Sequence, residues 1–227
     1  MAGDDFDPGD GSTAARQQAA IAAVERARST REAIGRLAGL LGSTQEYYRQ
    51  AVAAGDTSSC RRVTNAALAA FDACPQVVAG SEASGLGIMR ILAASSAHPD
   101  LQIAGLAVDA WPTLRNEVSV ESRPPSMGAV LMRQVLESLL RGAVFPESFT
   151  SWEAHMPASD GGGPEDEDDF VRFREGGVAR ALEACVDDLG VGPFLDFLRG
   201  LLSHAADGSA GWQAVEVVLF AIAITHL

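Results

Sequence analysis

Apolar residues recur in this chain at spacings of three and four, and no segment sustains a spacing of two. Such a pattern commits the backbone to helix, because a 3.6-residue turn stacks positions three and four apart on one face, whereas a half-buried strand needs alternation. One stripe is Cys60, Val63, Ala67, Leu68 and Phe71, and a second is Leu86, Ile88, Met89, Ile91 and Leu92. Leu101, Ala104, Val108, Trp111 and Leu114 form a third, and Val130, Leu131, Val135, Leu139 and Leu140 a fourth. The spacing predicts helices over 59–75, 83–96, 99–118 and 126–141, with Pro112 kinking the third or splitting off its last turns. Further helices are predicted over 167–189, over 192–204 and from Gly211 to the end.

Upstream, residues 1–12 are rich in Asp and Gly without apolar periodicity and read as a disordered acidic tail. The alanine-rich segment 13–27 reads as a helix. "STRE" from Ser29 and "STQE" from Ser43 have the form of capping boxes, which predicts a new helix after each, to Leu41 and toward Ala54.

The helices pair as 59–75 with 83–96, 99–118 with 126–141, and 167–189 with 192–204. A recurrence of roughly 40 residues is that of HEAT-type hairpins, which stack because a single hairpin cannot bury its own apolar face. The expected fold is therefore all-α: an α-solenoid of HEAT-type helical hairpins over 13–227, a segment of right-handed superhelix, with a flexible acidic loop at about 143–166. A compact helical bundle is the alternative architecture. The last helix, "WQAVEVVLFAIAITHL", is apolar nearly all round with Glu216 its only acid, and such a helix needs cover on more than one side. On the solenoid reading the chain stops in mid repeat.

Hydrophobic residues make up 47% of the chain and charged residues 21%, enough for a core. The net charge is -13, and all 17 basic residues are arginine. Such a surface repels nucleic acid and anionic lipid and favours basic partners. Between Glu147 and Gly190 twelve acids face only Arg172, Arg174 and Arg180. Cys60, Cys74 and Cys185 lie far apart without a CxxC spacing, so neither a disulfide framework nor a zinc site is expected. The first residues lack the basic and apolar regions of a signal peptide, and no apolar run reaches the roughly 18 residues a membrane span needs. The chain reads as a soluble intracellular protein with no membrane insertion and no direct nucleic-acid contact.

The densest charge is "GPEDEDDFVRFREGG", from Gly163 to Gly177. A calcium loop starting at Asp166 fails, because Phe170 and Val171 stand where the loop needs an oxygen ligand and a glycine. Asp166, Glu167, Asp168 and Asp169, with Glu165 just ahead of them, are instead read as acids at a helix start, where Asp166 to Asp169 complement the positive end of the macrodipole. Phe170, Phe173, Val178, Leu182, Cys185 and Leu189 then continue one buried stripe, and Arg172 and Arg174 fall off it toward solvent or the neighbouring repeat. Those five acids with Arg172 and Arg174 are the candidate partner-binding residues. No HExxH, GxSxG or GxGxxG motif occurs, so no catalytic residue, metal or cofactor is expected and the chain reads as a binding protein rather than an enzyme.

Three strings together resemble the importin-beta superfamily of nuclear transport receptors, most of all its transportin-SR and importin-thirteen branch. They are "AVAAGDTSSCRRVTNAALAAFDACPQVVAG" from Ala51, "HPDLQIAGLAVDAWPTLRNEV" from His98, and "DEDDFVRFREGGVARALEACVDDLG" from Asp166. The second keeps Trp111 and Leu114 of the family's Phe-Trp-Tyr cluster and following Leu, while Ala110 and Pro112 depart from it. The third is similar to an acidic lead into an "F..FR..V...L.......G" helix, and "WQAVEVVLFAIA" from Trp212 to the start of the repeat after that. The resemblance implies a middle portion of a curved solenoid that carries protein cargo between cytoplasm and nucleus, binds the GTPase Ran in its GTP form and touches phenylalanine-glycine nucleoporins. A helical-repeat scaffold unrelated to transport is the alternative function, and a small helical enzyme a distant third.

Overall fold

The computed structural model describes residues 10–146, 165–204 and 211–226. Among them every regular element is helical and no strand occurs. In chain order these are α1 (Asp10–Gly42), α2 (Gln45–Ala53), α3 (Thr57–Ala73), the single turn α4 (Pro75–Ala79), α5 (Glu82–Ser96), α6 (Leu101–Val108), α7 (Ala110–Glu117) and α8 (Ala129–Ala143). Two 3-10 turns, Val120–Ser122 and Pro125–Met127, lie between α7 and α8. Then come α9 (Glu165–Arg172), a π-helical segment Phe173–Val178, α10 (Ala179–Leu189), α11 (Val191–His204) and α12 (Trp212–Ile224). Of the loop expected at about 143–166, Ala143 closes α8 and Glu165 and Asp166 are helical, and of the tail expected over 1–12, residues 10–12 are helical; the rest of both lies, but for 144–146, outside the described residues.

Two local expectations are corrected. α1 runs unbroken through Ser29, because its alanine-rich stretch has no glycine or proline to stop it, and Glu32 takes the Arg28 guanidinium at 3.1 Å instead of a cap. The chain does break at Ser43, but not through a capping box. The Ser43 and Thr44 hydroxyls donate back to the Leu40 and Leu41 carbonyls at 2.6 and 2.7 Å, so they close α1 rather than open α2. Side-chain caps sit elsewhere: Asp56 accepts the Ser59 N–H at 3.0 Å ahead of α3, and Asp100 accepts the Gln102 N–H at 2.9 Å ahead of α6. The 99–118 segment divides at Asp109, which leaves Pro112 in the first turn of α7, where no helical partner is needed for its missing N–H.

α5 lies at the centre of the packing, meeting α1 most extensively and also α3, α4, α6 and α8, whereas neither α6 nor α7 packs substantially on α8, so the expected pairing of 99–118 with 126–141 is not among the main contacts. α3 packs on α6, α6 on the π segment, α7 on α10, and α10 on α12; behind them α5 packs on α8, and α8 on α10 and α12. The core holds Tyr48, Phe71, Ile88, Leu92, Trp111 and Leu131, all with essentially no exposure. Burying Trp111 requires a partner for its N–H, and Ser96 Oγ accepts it at 2.9 Å while donating to the Leu92 carbonyl at 3.0 Å. Arg123 is a buried clamp: it donates to the Leu114 and Val118 carbonyls that end α7, and pairs with Asp188 of α10.

His98, between α5 and α6, is 7% exposed and its Nδ1 accepts the Asp100 N–H at 3.0 Å. Burial holds its imidazole below its ordinary value against the opposing pull of Asp100. Below about pH 6.5 the unfolded chain therefore binds a proton more readily at His98 than the folded one does, and folding stability falls as pH drops. The urea midpoint is expected to fall between about pH 7 and pH 5.5, and His98→Gln to remove part of that fall; an unchanged pH dependence in the variant would contradict it.

Candidate functional site

Glu165, Asp166, Glu167 and Asp168 are helical, the first residues of α9 that are described; their side chains lie outside the described ones. Asp169 is exposed and pairs with Arg172, also exposed, at 3.0 Å. Phe170, Phe173, Val178, Leu182 and Cys185 are buried on one side, as the stripe predicts, and Leu189 is partly buried against the same core. That stripe contains a gap of five between Phe173 and Val178, which a straight α-helix at 3.6 residues per turn would not keep on one face. The wider π turn over Phe173–Val178 takes up the extra residue and restores the register.

Arg174 corrects the sequence reading most directly. Offered as a partner contact, it is buried, its side chain 4% exposed, with Nη2 donating to both Glu216 carboxylate oxygens at 2.5 and 2.6 Å. Its guanidinium carbon lies 4.4 Å from the centre of the Phe145 ring and 4.0 Å from that of Phe220. Phe145 in turn packs against Phe170 and Trp212, with ring centres 5.3 and 5.7 Å away. Aromatic faces favour a cation held this way, and the weak hydration of a guanidinium lowers the cost of burying it. Arg174 is thus unavailable to a partner; it fastens the π segment to α12. The signal for it was present in the sequence only as the lone acid of an otherwise apolar helix, Glu216, which needed a buried cation.

On another side of the π turn lies a trough of about 300 Å³. One wall is a single face of α6: Leu101, Gln102, Gly105, Val108 and Asp109. The other is Asp169, Arg172, Phe173, Gly177 and Arg180, from α9, the π segment and α10. At one end Asp169 pairs with Arg172; at the other Arg180 pairs with Asp109 across the walls at 3.0 Å. Both pairs are well exposed, so each contributes no more than about 1 kcal/mol and its members are free to exchange partners. Gly177 brings the walls together, since a Cβ there would lie 2.6 Å from Val108 Cγ2, whereas Gly105 faces open space. Of the expected site residues, the trough therefore joins Asp169 and Arg172, and adds Asp109 and Arg180, which the sequence did not single out.

Burial pushes the Cys185 thiol far above its ordinary value and raises that of Cys60. With two exposed carboxylate–guanidinium pairs and the partly buried Leu101, the arrangement suits non-covalent recognition. Compared with protein-family models, with curated proteins and with solved structures, the chain finds no match in any of the three.

Proposed function

We propose that this chain is a segment of a nuclear transport receptor of the importin-beta superfamily, built as a solenoid of HEAT-type hairpins. It binds protein cargo, basic in character, together with GTP-loaded Ran and phenylalanine-glycine nucleoporins, and works in nucleus and cytoplasm. The observation that carries this reading is the Arg174–Glu216 pair. "FVRFRE" and "WQAVEVVLF", strings quoted above for the resemblance, lie more than a helical hairpin apart in sequence, and their Arg and Glu meet in one buried, aromatic-flanked ion pair. Packing of α3 on α6 and of α5 on α8 also supports a stack of the first two hairpins. One departure stands beside this support: the family string has two positions between its Arg and Val, and this chain has three, Glu175, Gly176 and Gly177.

The immobilised chain is expected to retain nucleoporin repeats and a basic cargo, and to bind Ran with GTP in preference to GDP. Retention of neither Ran nor nucleoporin repeats would sink the transport reading and leave the helical-repeat scaffold. The acids are tested separately, by changing Asp166, Asp168 and Asp169 to Asn and Glu167 to Gln together. Loss of helix-end charge should cost about 1 kcal/mol at physiological salt, with the fold intact by circular dichroism. If binding of the basic cargo survives the change, the acids serve only the helix start.

A further inference from the structure

The core does not require the π turn. With one residue of the Gly176–Gly177 pair removed, Phe170, Phe173, Val178 and Leu182 would follow one another at spacings of three, four and four, the stripe of a straight α-helix. What the extra residue does change lies at the trough. Gly177 is pressed against Val108, and the Gly176 carbonyl, which takes the Ala179 N–H, also accepts Arg180 Nε at 3.2 Å. Arg180 Nη2 donates at the same time to Asp109 Oδ1 at 3.0 Å. One guanidinium, its side chain 63% exposed, thus occupies a pair of acceptors made of a π-turn carbonyl and a carboxylate on the facing helix.

We propose that Arg180 stands in for an arginine of a partner, and that the trough takes an extended segment of a partner protein whose own guanidinium replaces that of Arg180 on Gly176 and Asp109. This names the partner chemistry of the site on which the protein-binding reading rests. From Leu101 to Asp109 the α6 wall spans roughly 12 Å at 1.5 Å per residue, which admits three or four extended residues at roughly 3.3–3.6 Å each. Gly105, with open space where a Cβ would stand, does not obstruct the main chain of such a segment, and the partly buried Leu101 offers apolar surface to an arginine stem or an adjoining apolar residue. The net charge of -13 steers a cationic segment toward the chain and disfavours an acidic one.

The test measures fluorescence anisotropy of a labelled six-residue peptide of glycines with one leucine and one arginine, against the same peptide with citrulline in place of arginine. Arg180→Ala vacates the acceptors and should tighten binding of the arginine peptide by about fivefold relative to the unmodified chain, with no gain for the citrulline peptide. Asp109→Asn added to Arg180→Ala should abolish the gain. In a chain otherwise unmodified, deleting Gly176 should leave the helical circular dichroism intact and weaken binding of the arginine peptide. No tightening in Arg180→Ala overturns the proposal, as does equal tightening for both peptides. A gain that persists with Asp109→Asn overturns it too, since that would be attraction to an acidic surface at large. A deletion variant that fails to fold also counts against it, because the core would then need the π turn. Ran and nucleoporins play no part in these measurements, so their failure and failure of the transport reading are separable.

Discussion

Replacing Glu216 by alanine is expected to lower the unfolding free energy by about 3–5 kcal/mol, the range for leaving one member of a buried ion pair without its partner. The Glu216 side chain is 13% exposed and that of Arg174 only 4%, so water does not replace the lost carboxylate. Arg174 Nε is buried and finds no acceptor among the described residues even with Glu216 present, so losing the carboxylate leaves more of the guanidinium unsatisfied. Its position between Phe145 and Phe220 supplies attraction to the ring faces but no hydrogen bond. Arg174→Ala is expected to be as damaging, through a cavity between two rings as well as a buried carboxylate. Arg174→Met combined with Glu216→Leu should return stability to within about 1 kcal/mol of the unmodified chain, because both desolvation costs vanish together. Urea unfolding of the singles and the double closes the cycle. Single variants that cost under about 1 kcal/mol would show that the pair is solvated and the lock between the π segment and α12 absent.

Gly85→Ala is expected to be comparably severe, at about 3 kcal/mol or more, above the middle of the range for over-packed cores. Gly85 lies in the first turn of α5 where it passes α4, and a Cβ there would lie 1.5 Å from the Val78 carbonyl oxygen. The obstacle is backbone, so no side-chain rotation relieves it. α4 and α5 would have to part by about 2 Å to regain van der Waals distance. Val78, Ala79 and Ile88, all without exposure, would lose their packing in the process. The same substitution at Gly105, mid-helix in α6 with nothing within 4 Å of the new methyl, should instead stabilise by about 0.5–1 kcal/mol through helix propensity. Opposite signs for one substitution at two helical glycines are read directly from the urea midpoints, and equal signs would contradict the packing at α4 and α5.

Much of the fold was legible before any coordinates. Helices around Cys60, Ile88, Ala104 and Val135 stand where the spacing predicts them, and the split of 99–118 follows from Pro112. The capping boxes misled because their hydroxyls had a second use. Ser43 and Thr44 bond backward to α1, and Ser29 sits in the middle of a helix that alanine carries straight through. A box motif describes what a hydroxyl is able to do at a helix start, while competition among nearby carbonyls and N–H groups decides which bond forms. The five-residue gap from Phe173 to Val178 was visible in the stripe, yet it reads equally as an interrupted face until the π turn is seen to absorb it.

The candidate site was legible only in part, and Arg172 and Arg174 show why. Two residues apart, each beside Phe173 and within a few positions of an acid, they carry a similar local signature. One ends exposed beside Asp169 and the other buried against Glu216. By itself the sequence determined the helical class and most of the buried faces, Val130 excepted, which stands 63% exposed, because 3.6-residue periodicity acts over one or two turns. The tertiary structure alone decided that Glu216, on α12, neutralises Arg174, that Arg180 reaches Asp109, and that two glycine-bearing faces leave a trough between them. Those outcomes depend on which elements pack side by side, and burial, which makes an ion pair strong or a glycine indispensable, belongs to the packed assembly of helices rather than to any one of them.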